Sequence, residues 1–134
     1  MQTFTIEYQG VTYANFSEGA LIASGVPAAV LDAAKAANRR EEIKTECRRR
    51  IYGTASAEAQ MNISGAASLA SAKVAADRSA EETALLETFA LALKWISDMR
   101  ASVETLSADP VSDFLTEDAW PDCPAAVLAL CDQF

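Results

Sequence analysis

Carboxylates are the one side-chain type numerous enough here to suggest acid–base chemistry. Glu81 with Glu82, Glu117 with Asp118, and Asp109 with Asp113 lie close in the chain. A catalytic pair needs a cleft that drives the two pKa values apart. These pairs fall at a helix start and in a polar tail, which reads as caps and surface acids. There is no histidine, so Ser-His-Asp triads, Cys–His dyads and histidine-ligated metals are excluded, and so is the Glu-x-x-His pattern of carboxylate di-metal bundles. The cysteines are odd in number and unrelated in spacing (Cys47, Cys123, Cys131), which fits reduced thiols better than a disulfide framework or a zinc site. No Gly-x-Gly-x-x-Gly, Walker loop, Gly-x-Ser-x-Gly or Cys-x-x-Cys occurs. The expectation is a protein that is not an enzyme and holds no cofactor and no metal.

Binding chemistry has more to draw on. Arg48, Arg49 and Arg50 follow Arg39 and Arg40, a cluster that phosphates would attract. On a helix, however, three successive side chains point about 100° apart and form no single stripe. Glu42 and Glu46 stand three or four positions from Arg39, Arg49 or Arg50, the spacing of intrahelical pairs. Nucleic acid is therefore not an expected partner; the competing expectation is one or more arginines buried in bidentate pairs with carboxylates. Trp120, in Ala-Trp-Pro, reads equally as an interface anchor or as a contact with the chain's own helices. The candidate partner-binding set is Phe4, Tyr8, Tyr13, Arg48, Arg49, Phe114, Trp120 and Phe134.

Several elements must position these residues. Phe4, Ile6 and Tyr8 alternate with Thr5 and Glu7, then Gln9-Gly10 precedes Val11, Thr12 and Tyr13, the pattern of a β-hairpin. A hairpin alone is marginal in water, so it must lie on the helices, on a partner or on another copy. Ser17-Glu18 opens a short helix over 19–24, with Gly25 placed just past its end. From Ala28 to about Tyr52 no breaker occurs, and Ala33, Ala36, Arg40, Ile43, Cys47 and Ile51 or Arg50 form a thin seam. Ser56 caps a third helix, read over 57–76, whose Gly65, Ala66 and Ala70 are small enough to lie under a neighbour. Ser79-Ala80-Glu81-Glu82 is a capping box. It opens a helix to about Ser107 with the strongest stripe in the chain: Leu85, Phe89, Ala92, Ile96, Met99, Val103 and Leu106, widened by Leu86, Leu93 and Trp95. A link of roughly three residues would make these two helices an antiparallel hairpin. Asp109-Pro110 stops the last of them, and a clasp follows, with a short helix from Pro124 or Ala125. The fold class is thus mainly α: an N-terminal β-hairpin, a long helix, an antiparallel helical hairpin and an extended acidic C-terminal arm. All of it reads as a single domain over 1–134, divided as 1–16, 17–107 and 108–134.

The charge is lopsided. Nineteen acids against eleven bases leave −8, which opposes non-specific binding to nucleic acid or an anionic membrane. Seven of the eleven cations lie between Lys35 and Arg50, whereas positions 101–134 carry seven carboxylates and no cation. No segment reads as a signal peptide or a bilayer span, so a soluble protein with no membrane partner is expected. Of the hydrophobic residues 28 are alanine, which favours close-packed helices over a roomy pocket.

The run Ile43-Lys44-Thr45-Glu46-Cys47-Arg48-Arg49-Arg50-Ile51, followed by Ala55-Ser56-Ala57-Glu58-Ala59-Gln60-Met61-Asn62-Ile63-Ser64-Gly65-Ala66-Ala67, resembles a segment of small bacteriophage tail proteins. These include tail-fibre assembly proteins, in which an Ile-x-x-Glu-x-x-Arg-Arg-Ile helix precedes a Gln-x-Asn-Ile helix. Lys94-Trp95-Ile96 is similar to the end of that segment, so the resemblance spans roughly residues 40–100. It implies a non-enzymatic structural component or assembly chaperone that binds a phage tail or tail-fibre protein, in the host cytoplasm during assembly or in the virion tail. Thin seams and an uncovered hairpin add the expectation that copies of the chain could also associate. The alternative, from the acidic arm, is a small inhibitor that occupies a basic surface of a host protein.

Overall fold

A computed structural model describes residues 1–134. The chain divides into two compact units, Met1–Glu42 and Ile43–Phe134, the boundary falling inside the long second helix.

In the first unit, β1 (Thr3–Tyr8) pairs antiparallel with β2 (Val11–Ser17). The two-residue turn has Gln9 at φ 50° and Gly10 at φ 76°, both left-handed, the turn whose twist matches the strands. The register slips between Phe4 and Ile6, and Asn15 takes φ 58°. This bulge bends the ribbon, and Asn15 N–H donates to Thr5 Oγ1 at 3.4 Å. The hairpin is covered by its own chain. Phe4 and Ile6 are buried with Leu21, Val26 and Leu31, and Tyr8, Tyr13 and Phe16 pack around them. α1 (Glu18–Ala23) is capped by Ser17, whose Oγ accepts from Ala20 N–H. Its far end is a Schellman motif: Val26 N–H donates to the Leu21 carbonyl and Gly25 N–H to the Ile22 carbonyl, with Gly25 at φ 83°. The motif brings Val26 back over Leu21, the apolar contact that seals the unit.

α2 runs Ala28–Thr54. Its first half departs from the expected seam. Ala33, Ala36 and Arg40 are exposed, and the buried residue is Leu31, flanked by Val30 and Ala34. Alanine offers too little area to set a helix's orientation against a leucine, so the larger side chains choose the face. In the second half Ile43, Cys47 and Ile51 are buried as read.

The second unit holds the main core. Ile43, Cys47 and Ile51 meet Trp95, Met99, Val103 and Leu106 of α4 (Ala80–Ala108), with Trp120 from the arm. Leu93, expected to widen the α4 stripe, is exposed instead. Ser79 caps α4 by accepting from Glu82 N–H at 3.1 Å. α3 (Ala57–Ser71) is capped by Ser56 and buries Ala59, Ile63, Ala67 and Ala70. It ends five residues before the expected boundary, because Arg78 turns back and donates to the carbonyls of Ala70 and Ser71 at 3.0 and 3.3 Å. Terminal carbonyls with such a partner do not need another helical turn. The α3–α4 link is therefore residues 72–79, longer than three, with a 3₁₀ turn at Ala75–Asp77. Of the three small residues expected under a neighbour, Ala70 is buried, Ala66 half-buried and Gly65 exposed; a Cβ at Gly65 would meet nothing within 4 Å. After α4 the arm crosses the core through Trp120 and finishes in α5 (Ala125–Cys131), whose Val127 and Leu130 are buried. No helix is long and apolar enough to cross a membrane.

Candidate functional site: the arginine turn of the second helix

Helical spacing sends the three arginines to three different environments. Arg50 points inward, its side chain 10% exposed. Its Nε donates to Glu46 Oε1 at 2.7 Å, one Nη to the Leu115 carbonyl at 3.0 Å, and the other Nη lies 3.0 Å from Glu117 Oε2. The guanidinium carbon is 5.7 Å from the centre of the Trp120 ring, a cation–π distance. One side chain thus holds the helix and the arm together. Trp120 Nε1–H donates to the Phe114 carbonyl at 2.7 Å and Trp95 Nε1–H to the Pro121 carbonyl at 3.2 Å, so each buried indole is satisfied and each bond fixes the arm's backbone.

Arg49 turns outward yet grips the same carboxylate in fork geometry: Nε to Glu46 Oε2 at 2.7 Å and Nη2 to Oε1 at 2.6 Å. Glu46 is itself buried, at 8% exposure. The Arg49 hydrogen bond, joined by the one from Arg50 and by the field of both, holds its carboxyl below the ordinary 4.5 against the opposing effect of burial.

Arg48 faces a separate groove of about 230 Å³. Ile51, Ile96 and Val103 form its apolar side, and Lys44, Arg48 and Arg100 bring cationic groups to it, with Tyr52 and Gln60 as further hydrogen-bonding groups. Arg48 and Arg100 are both exposed, and neither makes a hydrogen bond or an ion pair within the chain. Cys47 also lines this groove. Burial pushes its thiol up, only partly opposed by Arg100 and Arg48, and its Sγ donates to the Met99 carbonyl at 3.5 Å. That is a packed thiol and not a poised thiolate nucleophile. The groove can hold an anionic, partly apolar group.

The remaining expected site residues are dispersed. Phe4 and Trp120 are buried in the two cores, and Phe114 packs half-buried against the second. Tyr8 and Tyr13 flank the hairpin core, Tyr13 with its ring edge-on to Phe16 at 5.4 Å. Phe134 is 44% exposed and borders a shallow apolar hollow with Leu85 of α4 and Leu130 of α5. Of the carboxylate pairs, Glu82 is engaged by Lys73 at 2.8 Å and Glu117 by Arg50. No group of three or more metal-ligating side chains comes together. Arg100, Tyr52 and Gln60 have no counterpart in the sequence-based set. Arg100 is fifty-two positions from Arg48, and the sole trace of it was its outward place on a strongly patterned helix. Compared with protein-family models and with curated proteins, the chain matches none.

Proposed function

We propose that this chain is a non-catalytic, protein-binding component of phage tail or tail-fibre assembly, as a structural subunit or an assembly chaperone. It would act in the host cytoplasm while the tail is built, or remain in the virion tail. The observation that carries the binding reading is the pair Arg48 and Arg100, two cations without an intramolecular partner beside one apolar-sided groove. In a chain with nineteen acids and eleven bases, unpaired cations are surplus to its own folding and available to another molecule. Exposed Met61, Leu69 and Val74 along α3 and the turn after it add apolar surface of the kind that partners cover. The tail context comes from the resemblance over residues 43–67 and 94–96. The inhibitor alternative calls for a basic host surface, opposite in sign to the partner that a cationic groove attracts.

Co-expression with the tail and tail-fibre proteins encoded beside it, followed by size-exclusion chromatography, tests the proposal. A defined complex with one of them is expected, and mass spectrometry of intact virions then separates subunit from chaperone. A chain that stays monomeric and forms no complex with any of them overturns it.

A further inference from the structure

We infer that the groove between α2 and α4 recognises an acidic segment of a partner protein, placing an apolar side chain against Ile51, Ile96 and Val103 and carboxylates on Arg48 and Arg100; this rests on the protein-binding reading above. The other cations with described contacts are occupied. Lys35 is paired with Glu18, Arg49 and Arg50 with Glu46, Lys73 with Glu82 and Lys94 with Asp98, and Arg78 serves two helix-end carbonyls. Arg39, Arg40 and Lys44 also have partners within the chain, so Arg48 and Arg100 are the two left over, on different helices, and they line the same groove. Guanidinium groups match carboxylates in two-point geometry, and the apolar wall between them asks for a side chain that a bare anion lacks. A volume of about 230 Å³ is below the ~300 Å³ at which pockets for drug-sized ligands begin, so the groove suits single side chains from a longer segment. A nucleic acid offers phosphates but also a dense negative charge, which the net −8 of the chain repels. A second copy would bring a net charge of −8 along with its acidic arm, and the repulsion between two such whole chains disfavours it against an acidic segment carried by a less charged partner.

The test titrates the full chain with acetyl-Glu-Leu-Leu-Glu-amide, its Gln-Leu-Leu-Gln counterpart and an oligothymidylate, following backbone amide shifts by NMR. The glutamate peptide should shift Ile51, Tyr52, Ile96 and Val103. Arg48→Gln and Arg100→Gln, both at exposed and unpaired positions, should each weaken it by about three- to tenfold with unchanged thermal unfolding. The inference is overturned if the glutamine peptide binds equally, if the arginine variants have no effect, if the oligothymidylate binds more tightly, or if the groove proves to be occupied by a second copy in a dimer that Arg48→Gln dissociates. A tail-protein complex that survives both variants removes this groove assignment and leaves the protein-binding proposal standing. Peptide binding at the groove without any tail-protein complex removes the tail assignment and leaves the groove.

Discussion

The guanidinium of Arg50 lies over the indole of Trp120 at 5.7 Å, seventy positions apart in the chain. Around this contact the same arginine reaches a helix carboxylate, an arm carbonyl and an arm carboxylate. The acidic arm is therefore held by a specific polar clasp as well as by the burial of Trp120, Val127 and Leu130.

Removing that clasp should be costly. Arg50→Ala leaves the Leu115 carbonyl without its donor and strips one partner from buried Glu46, so a loss of about 2–4 kcal/mol in urea unfolding is expected. Arg50→Lys should recover less than half of it, because one ammonium cannot reproduce the planar fork. Glu117→Gln, at a side chain 89% exposed, should change stability by less than about 0.5 kcal/mol. Tryptophan fluorescence, reporting Trp95 and Trp120 at the arm, checks all three. An Arg50→Ala protein as stable as the parent would refute the clasp.

Acid should weaken the same region. The folded carboxyl of Glu46 is held below its ordinary 4.5, chiefly by the Arg49 hydrogen bond. Its contribution is then complete above the unfolded value and is lost as pH falls through the folded one. Urea midpoints measured at about pH 6 and about pH 3 should differ less in Glu46→Gln than in the parent. Equal differences would mean that Glu46 takes no part in the acid response.

Gly65 offers a gain. It lies inside α3, exposed, with open space where a Cβ would go and no positive φ. Gly65→Ala should stabilise the chain by about 0.5–1 kcal/mol through helix propensity and a less flexible unfolded state, read as a higher thermal midpoint. Destabilisation would show that something does approach this face.

The thiols should react in order of access. Burial, with a smaller effect from Cys131, pushes the Cys123 thiol up to about 11, and burial also raises Cys47 and Cys131. Alkylation by iodoacetamide near neutral pH should be several-fold slower than for free cysteine and should accelerate as pH approaches the raised value. Cys47, buried in the core, should be modified only on unfolding. Intact-mass analysis over time gives the three rates; rapid labelling of Cys47 in the native protein would contradict its burial.

Much of the fold was legible because it depends on local rules. The Gln9-Gly10 turn, the Ser17, Ser56 and Ser79 caps, Gly25 after α1 and the stop at Asp109-Pro110 are each decided by a few neighbouring residues, and the structure places them where those rules do. The Met99–Val103–Leu106 stripe was equally plain, because large apolar side chains at helical spacing leave one face to bury. Where alanine replaced them, the reading drifted: Ala33 and Ala36 are exposed and Gly65 lies in the open, since a small side chain barely prefers one orientation over another.

Long-range pairing was beyond such rules. That Glu46 could bond to Arg49 or Arg50 follows from spacing within one helix turn. That Arg50 would also meet Leu115, Glu117 and Trp120, that Arg78 would close α3 early, and that Arg48 and Arg100 would line one groove depend on how separate segments approach in space. The amino-acid sequence by itself determined a histidine-free, acidic, mainly helical chain with one strong seam. Only the tertiary structure decided which of three adjacent arginines is buried, which is paired at the surface and which has no partner within the chain, because 100° steps around a helix acquire meaning only when its neighbours are in place.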